Sequence, residues 1–313
     1  MLKLPKTTRL NTFKLPALIG VAFCMQSCFT GVEGTNKITL SKKDITITAP
    51  SAEDLYLTDI AFPFLKDWQK GKAFLVADDK FRFVAEGAGI EKLHKGDTLT
   101  YLSRETRYSA GGGESATIIF SFNGNSLYYP VERKASVADS TLTSLQIPML
   151  IDLDLVDSVR KKLVGKHLWT RSALWYDENL DYLKGSKFVE VTVEDVTPGN
   201  AFFPLLIRFS DREGKQGYFL MNTGNSGNES RSFSKLFSLT DPRKIYNHVS
   251  EENWKAIQNE ELRIGMTKEE CRLSKGNPSE TDSGHSYSAT MEIWMYQDGS
   301  LLRFVDGLLI SYQ

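Results

Sequence analysis

Residues 264–278 read IGMTKEECRLSKGNP, and this stretch encodes the beginning and the end of one short helix. The Thr267 hydroxyl can accept a hydrogen bond from the Glu270 amide while the Glu270 carboxylate reaches back to residue 267, which is the capping box of a helix N-terminus. Gly276 stands where a left-handed C-cap is wanted, and Pro278 prevents the helix from continuing. Cys271 lies inside this helix, where we expect its thiol to be buried.

The sequence around this helix predicts a small domain over residues 248–313. Ser250 is a helix N-cap, and Val249 with Trp254 forms a hydrophobic staple, so a second helix precedes the first. Asp-Gly pairs, the strongest short hairpin signal, separate three strand-like runs: Met291–Tyr296, Ser300–Val305 and Leu308–Tyr312. In the first run Trp294 and Tyr296 share one face. We expect one face of the sheet to pack on the helices and the other to be a partly exposed protein-docking surface.

This helix-helix-three-strand order resembles the small outer-membrane-assembly lipoprotein family (SmpA/OmlA, BamE-like). The resemblance rests on four segments: residues 264–270 (IGMTKEE), 275–278 (KGNP), 292–296 (EIWMY) and 302–308 (LRFVDGL). It covers about a fifth of the chain, and Cys271 departs from the aliphatic residue expected in that helix. The resemblance implies the fold of this domain and a location in a bacterial envelope, and it supplies no catalytic residues.

The beginning of the chain resembles a bacterial lipoprotein signal. Four basic residues and no acidic ones occur among residues 1–27, and the apolar run Leu15–Met25 is too short to span a bilayer as a helix. Ser27-Cys28 then fits a lipobox, whereas Cys24 follows Phe23, which is too large for the signal-peptidase pocket. We expect residues 1–27 to be removed, Cys28 to carry acyl chains, and residues 28–50 to form a tether. The alternative is an ordinary cleaved signal or a misread start, with Cys28 unmodified.

Two strand-rich blocks occupy the middle of the chain, over residues 51–148 and 149–222. The predicted strands of both blocks are short, and turns such as Lys95-Gly96-Asp97 and Asn123-Gly124 separate them. The two blocks repeat similar motifs about 94 residues apart, and both resemble bacterial SH3-like barrels. A helix over Met149–Val164 opens the second block, with Asp152 and Asp154 favouring its N-terminal end. Polar residues that begin at Thr223 mark a linker over 223–247. The predicted strands are Phe74–Val76, Phe81–Val84, Thr98–Tyr101, Thr117–Phe122, Ser126–Tyr129, Phe188–Val193 and Leu205–Phe209. The fold class is therefore α+β and strand-rich.

Composition and motifs argue for a protein without catalytic chemistry or a cofactor. The formal net charge of −1 disfavours nucleic-acid binding. The four histidines are scattered, with no metal-ligand spacing, so we expect no metal site. A Cys271–His285 pair of a cysteine peptidase is the enzyme alternative, and the expected burial of Cys271 speaks against it.

Binding is the function that the sequence favours. The candidate ligand-contacting residues are Trp169, Trp175 and Tyr176 in the second block, Tyr128 and Tyr129 in the first block, and Trp294 and Tyr296 in the C-terminal domain. We expect a lipid-anchored protein, most simply at the outer membrane, that binds another envelope protein or a peptide. Two alternatives stay open. One is a proteinaceous inhibitor of a periplasmic or secreted hydrolase, because the domain also resembles β-lactamase inhibitory proteins. The other is a module that binds cell-wall peptides.

Overall fold

The computed structural model describes residues 49–109, 112–223, 231–286 and 289–313. The signal peptide, Cys28 and nearly all of the tether lie outside these ranges. The described chain forms three antiparallel sheets and several short helices, so the strand-rich α+β class is confirmed. The helices are α1 Ala52–Leu55, α2 Ala135–Thr141, α3 Leu153–Leu163, α4 Phe233–Leu236, α5 Pro242–Ile245, α6 Glu251–Gln258 and α7 Lys268–Lys275.

The first sheet is a curled half-barrel around an aromatic core. Its strands are β1 Ala73–Val76, β2 Glu86–Gly87, β3 Thr98–Tyr108, β4 Glu114–Phe122, β5 Asn125–Val131 and β6 Leu150–Asp152. Their spatial order is β2-β5-β4-β3-β1-β6. Phe74 and Phe120 meet edge to face in the core, with ring centroids 5.5 Å apart. Burial of such rings is the main favourable term in forming the sheet.

One predicted strand of this block, Phe81–Val84, is wrong. Residues Asp79–Phe83 form a 3₁₀ helix instead, because the Asp78 carboxylate accepts a hydrogen bond from the Lys80 amide and caps a helical turn. Phe81 is nevertheless fully buried in the first core. Phe83 and Val84 are exposed, so Phe81 alone of the apolar residues in this run belongs to the core, and the aspartate in front of it determines the backbone conformation.

The second sheet is also a curled half-barrel and has seven strands. They are β7 His167–Thr170, β8 Leu174–Tyr176, β9 Tyr182–Lys184, β10 Glu190–Pro198, β11 Leu205–Asp211, β12 Gln216–Met221 and β13 Phe237–Ser238. Their order is β13-β7-β10-β11-β12-β8-β9. Helix α3 packs on β10, with Val156 and Val159 buried. The helix predicted over 149–164 is thus confirmed from residue 153 onward, while β6 occupies residues 150–152.

A buried ionic cluster joins the first sheet to α3. Asp152 is the N-cap of α3, and its carboxylate also binds the Lys72 ammonium at 2.7 Å and the Ser144 hydroxyl at 2.5 Å. Lys72 reaches Asp154 as well, at 2.6 Å. Asp152 therefore has the predicted role at the helix N-terminus. Its lysine partner lies 80 positions away in the sequence, and no local pattern indicates it.

The cores of the two half-barrels do not follow the predicted block boundaries. Helix α1 lies on the second core, where Tyr56 stacks on Phe233 with ring centroids 4.7 Å apart. The segment predicted as a linker over 223–247 carries α4 and β13, and Phe237 is fully buried beside β7. Residues 233–239 of this segment therefore belong to the second half-barrel, because Phe233, Leu236 and Phe237 supply buried area that a linker lacks.

The C-terminal domain consists of α6, α7 and a four-stranded meander, one strand more than predicted. The strands are β14 Glu280–Ser286, β15 Ala289–Met295, β16 Leu301–Val305 and β17 Leu308–Tyr312, paired in chain order. The sequence ETDSGHS of β14 has no hydrophobic residue, because this strand lies at the sheet edge and residues 280–284 are exposed. Because β14 has no alternation of apolar and polar residues, the sequence alone does not indicate a strand here.

The N-terminal caps of both helices in this domain form as predicted, whereas the C-cap at Gly276 differs from the prediction. Ser250 accepts a hydrogen bond from the Asn253 amide, and Thr267 and Glu270 form the reciprocal capping box. Gly276 has φ +92° and ψ −172°, a conformation outside the predicted left-handed helical region that is essentially restricted to glycine. Cys271 is buried between the helices and the sheet, as expected.

Candidate binding surfaces

Two of the tryptophans predicted to contact a ligand are core residues. Trp175 is 1% exposed, and its ring lies between Gly185 and Gly217. A Cβ atom on Gly185 would lie 2.2 Å from the ring, and one on Gly217 would lie 2.6 Å from it. Trp294 is 0% exposed and packs on Phe304 with ring centroids 4.6 Å apart. These positions correct the prediction, because neither ring presents a face to solvent.

The other predicted residues are half-buried and lie in different places. Tyr176 faces the Arg231 guanidinium, which stands 5.3 Å from its ring centroid. Tyr296 donates its hydroxyl hydrogen to the Gly276 carbonyl at 3.0 Å, and burial raises the pKa of this phenol to about 12. Tyr296 thus closes the end of α7 on the helix-covered side of the sheet.

Trp169 lines a cleft of about 500 Å³ beside the second sheet. We call it the Trp169 cleft. Aromatic and charged residues form its walls, and the buried Trp175 lies at its floor. Its aromatic and charged lining residues include Trp169, Phe188, Glu190, Asp211, Arg212, Lys215 and Asp241. The structure therefore brings two of the predicted tryptophans to one cleft, but leaves Tyr176 outside it.

The charged groups around the Trp169 cleft are already engaged within the protein. Glu190 binds Arg212 and lies 3.5 Å from the His167 ring. The Asp211 carboxylate accepts from the Lys215 amide at 2.8 Å, while the Lys215 ammonium donates to the Lys184 carbonyl at 3.1 Å. The cleft therefore offers aromatic surface on which a ligand could stack. Its charged side chains bind neighbouring groups of the protein itself.

The outward side of the C-terminal sheet is a larger apolar surface, which we call the open face. Its apolar members are Met291, Ile293, Met295, Leu301, Val305 and Leu308, which share one side through direct cross-strand pairs. Met291 and Leu308 are each 47% exposed, as is neighbouring Ile310. None of the open-face residues belongs to a buried core of the described chain. The predicted partly exposed sheet face is thus confirmed.

The opposite side of the same sheet explains why the open face stays uncovered. Trp294, Leu302, Phe304 and Leu309 point to α6 and α7 and are fully buried. Two short helices cover one side of a four-stranded sheet, and the described chain supplies nothing for the other. Arg303 stands in the middle of the open face, opposite Ile293 on one side and Ser311 on the other.

Cys271 does not have the environment of a nucleophile. Burial, together with the neighbouring Glu270 carboxylate, raises the pKa of the thiol to about 12. At neutral pH the thiolate, which is the nucleophilic form, is therefore a negligible fraction. The side chain of His285, its suggested partner, lies outside the described part of the structure.

Metal binding and membrane crossing are the two further candidate properties of the described residues. In these residues no group of three or more His, Cys, Asp or Glu side chains could hold a metal ion. No helix over the same ranges combines the length and hydropathy needed to cross a bilayer. No protein-family model, curated protein or solved structure matches the chain.

Proposed function

We propose that this chain is a lipid-anchored envelope protein that binds another envelope protein through the open face of its C-terminal domain. The observation that carries the proposal is the exposure of Met291, Leu308 and Ile310 on a continuous apolar sheet surface. Contiguous exposed apolar surface is typical of protein interaction sites, because its removal from water on binding is favourable.

The composition of the open face also favours a protein partner. Methionine and arginine are enriched at the centres of protein interfaces, and Met291, Met295 and Arg303 all lie on this face. Flexible methionine side chains adapt to a partner surface, and the guanidinium supplies directional hydrogen bonds. Small molecules bind in concave pockets, and the open face is one side of a sheet, so a protein partner suits it better than a small molecule does.

The open face belongs to a domain that is held firmly against the second half-barrel. The Lys187 amide donates to the Gln258 carbonyl at 2.8 Å, and its ammonium contacts the Ser274 carbonyl at 2.5 Å and Glu260 at 2.9 Å. Phe188 stacks on Trp254, with ring centroids 5.4 Å apart. The partner-binding surface is therefore presented on a rigid support, which lowers the entropic cost of association.

Resemblances in the sequence support a role of this protein at the outer membrane. The BamE-like resemblance of residues 248–313, the SH3-like resemblance of the two half-barrels and the lipobox at Cys28 together favour an assembly or scaffolding role at the outer membrane. In this role the acyl chains on Cys28 confine the protein to the membrane, and the C-terminal domain holds the partner. The partner itself is identified by capture.

The test is affinity capture from cross-linked, detergent-solubilised envelopes, with partners identified by mass spectrometry. The Met291→Glu/Leu308→Glu variant places two charges on the open face at half-exposed sites. The matched control is Phe83→Glu, because Phe83 is an 84% exposed apolar residue on the first half-barrel. We expect a membrane-protein partner that the double variant loses and the control retains. Equal recovery by both variants contradicts the proposal, and a soluble hydrolase as the specific partner supports the inhibitor alternative.

A second candidate function, cell-wall peptide binding, is favoured by the Trp169 cleft. The half-buried Trp169 ring offers a stacking surface beside groups of both charges. This function predicts co-sedimentation of the protein with purified peptidoglycan, and loss of that retention in Trp169→Ala. Phe202→Ala is the control, because Phe202 is an exposed aromatic residue outside the cleft.

A further inference from the structure

The strand β14 forms an unprotected edge of the C-terminal sheet. It is seven residues long, it pairs only with β15 among the described residues, and residues 280–284 are exposed. Natural sheets block such edges with charged side chains, especially lysine, with proline, with a bulge or with a covering element. The sequence of β14 contains neither lysine nor proline, and its two charged residues, Glu280 and Asp282, are both acidic.

The alternation of backbone hydrogen bonds along β15 shows which backbone groups of β14 point away from the sheet. The Tyr296 amide donates to the Ser300 carbonyl at 3.0 Å, and the Asp306 amide donates to the Thr290 carbonyl at 2.9 Å. The even-numbered residues of β15 therefore bond to β16, and the odd-numbered ones bond to β14, because backbone groups alternate in direction along a strand.

The alternation continues into β14 through its register with β15. Glu280, Asp282 and Gly284 lie opposite Met295, Ile293 and Met291, so their backbone groups point into the sheet. Thr281 and Ser283 consequently direct their N–H and C=O groups outward. Two donors and two acceptors thus stand in strand geometry at the exposed edge, which is the arrangement that an added strand completes.

We propose that β14 takes up an extended, basic segment of the partner protein, which pairs with it as a fifth strand of the C-terminal sheet. This inference rests on the proposed function and names how the partner is recognised. Glu280 and Asp282 lie on the same side of the sheet as the open face, at its β14 margin. Lysine or arginine side chains on that side of the added strand would stand directly beside both carboxylates.

The same two carboxylates disfavour a second copy of this chain as the occupant. Antiparallel pairing of two β14 strands brings Glu280 and Asp282 of both copies onto one side of a continuous sheet. Cross-strand and diagonal neighbours in such a sheet lie within about 4.5–8 Å, a range in which like charges repel. A basic segment is attracted by the charges that repel a second copy.

The experiment uses fluorescein-labelled nine-residue peptides of alternating lysine and valine, titrated with the full chain and followed by fluorescence polarisation. Two further peptides carry N-methyl groups on the lysines only or on the valines only, and a fourth has glutamate in place of lysine. Strand pairing requires the amides of one alternate set only. We expect the lysine peptide to bind, the glutamate peptide not to bind, and one N-methylated peptide to lose at least about tenfold in affinity while the other does not.

Variants of the chain complete the test. Ser283→Pro removes one outward N–H group and should abolish binding, while Glu280→Lys/Asp282→Lys should reverse the preference from the lysine to the glutamate peptide. Binding that is insensitive to both N-methylation patterns would show charge attraction without strand pairing and would overturn the inference, as would the absence of binding. In envelope capture, loss of the partner by Met291→Glu/Leu308→Glu together with its retention by Ser283→Pro overturns this inference alone. Retention by both variants contradicts the proposed function itself.

Discussion

At the scale of single residues, Trp175 shows how tightly the second core is built. Its ring is held between Gly185 and Gly217, and its indole N–H donates to the Ser172 carbonyl at 3.0 Å. A methyl group on either glycine would overlap the ring, so the neighbours would have to shift. In a close-packed interior such overpacking costs free energy even though it adds apolar surface.

We therefore expect Gly217→Ala to lower the free energy of unfolding by about 1–3 kcal/mol. The control is Gly284→Ala, because no atom lies within 4 Å of the added Cβ and the backbone there suits any residue. That variant should be within about 0.5 kcal/mol of the wild type. Urea denaturation followed by tryptophan fluorescence measures the free energy of unfolding of both variants. Equal values would show that the core around Trp175 has room for an added methyl group.

Lys72 and Asp152 supply a second residue-scale prediction. Both side chains are about 95% buried, so removal of Lys72 leaves the Asp152 charge desolvated, with only the neutral Ser144 hydroxyl and Asp154 amide as donors. Lys72→Ala should cost about 3–5 kcal/mol, whereas Lys162→Ala, which breaks the more exposed Lys162–Asp59 pair, should cost at most about 1 kcal/mol. Urea midpoints of the two variants give the comparison, and similar losses would contradict a structural role for the buried cluster.

Cys271 and Tyr296 make the C-terminal domain sensitive to alkali. Both groups have a pKa of about 12 in the folded protein, above their unfolded values near 9 and 10. Because the folded state holds these protons more tightly, their contribution is complete below pH 9 and is lost as the pH rises toward 12. We expect the melting temperature of wild type to fall over this window, and Cys271→Ala with Tyr296→Phe to flatten the fall. An identical alkaline slope in the double variant would contradict this assignment.

The residue scale is also where prediction from sequence was weakest for the candidate site. The chemistry of tryptophan and tyrosine predicts ligand contacts, but Trp175 and Trp294 are core residues. The sequence around Trp175 does not show that it is buried, because Gly185 and Gly217, which allow close packing on its ring, lie elsewhere in the chain, after β9 and in β12. The apolar face built from Met291, Ile293 and Met295 was predictable, because strand periodicity alone assigns its members to one side.

At the scale of elements, local sequence determined most of the C-terminal domain. The caps at Ser250 and Thr267 and the turns at Asp298-Gly299 and Asp306-Gly307 act within a few residues, so they could be predicted. Strand β14 could not be, because an edge strand exposed on both sides needs no apolar pattern. Its existence depends on pairing with β15.

The hairpin between β16 and β17 gives an element-scale prediction. Asp306 and Gly307 have φ of +48° and +84°, the left-handed pair that a two-residue hairpin turn requires. Gly307→Ala forces a side chain into this conformation and should destabilise the domain by roughly 1 kcal/mol. Gly284→Ala again serves as the comparison, because Gly284 has no positive φ. Thermal denaturation distinguishes them, and an unaffected Gly307→Ala protein would mean that the turn relaxes to another type.

At the scale of the whole molecule, the sequence predicts two strand-rich blocks. It does not predict that segments outside each block pack into its core. The contact of Tyr56 with Phe233, and of Lys72 with Asp152, joins segments that are distant in the sequence. Composition and periodicity report on neighbours along the chain, so boundaries drawn from them place α1 and β13 outside the core to which they belong. Three-dimensional contacts decide such boundaries.

Lipid attachment is a prediction for the whole chain. If Cys28 is the acylated residue, Cys28→Ala should move the protein from the membrane fraction to the soluble fraction and abolish incorporation of labelled palmitate. Cys24→Ala is the matched control and should leave both unchanged. Cell fractionation with metabolic labelling decides between the two cysteines, and an unmodified Cys28 would support the ordinary-signal alternative.

The junction at Lys187 and Phe188 has a mechanical consequence. Because these residues clamp α6 and α7 against the second half-barrel, a force applied to the C-terminal sheet is borne by side-chain contacts as well as by the connecting backbone. Such a force would reach β7 and β10, two adjacent strands that both have neighbours on either side in the seven-stranded sheet. The Phe188–Trp254 stack and the Lys187 contacts would therefore have to break before the C-terminal domain could swing away from the second half-barrel.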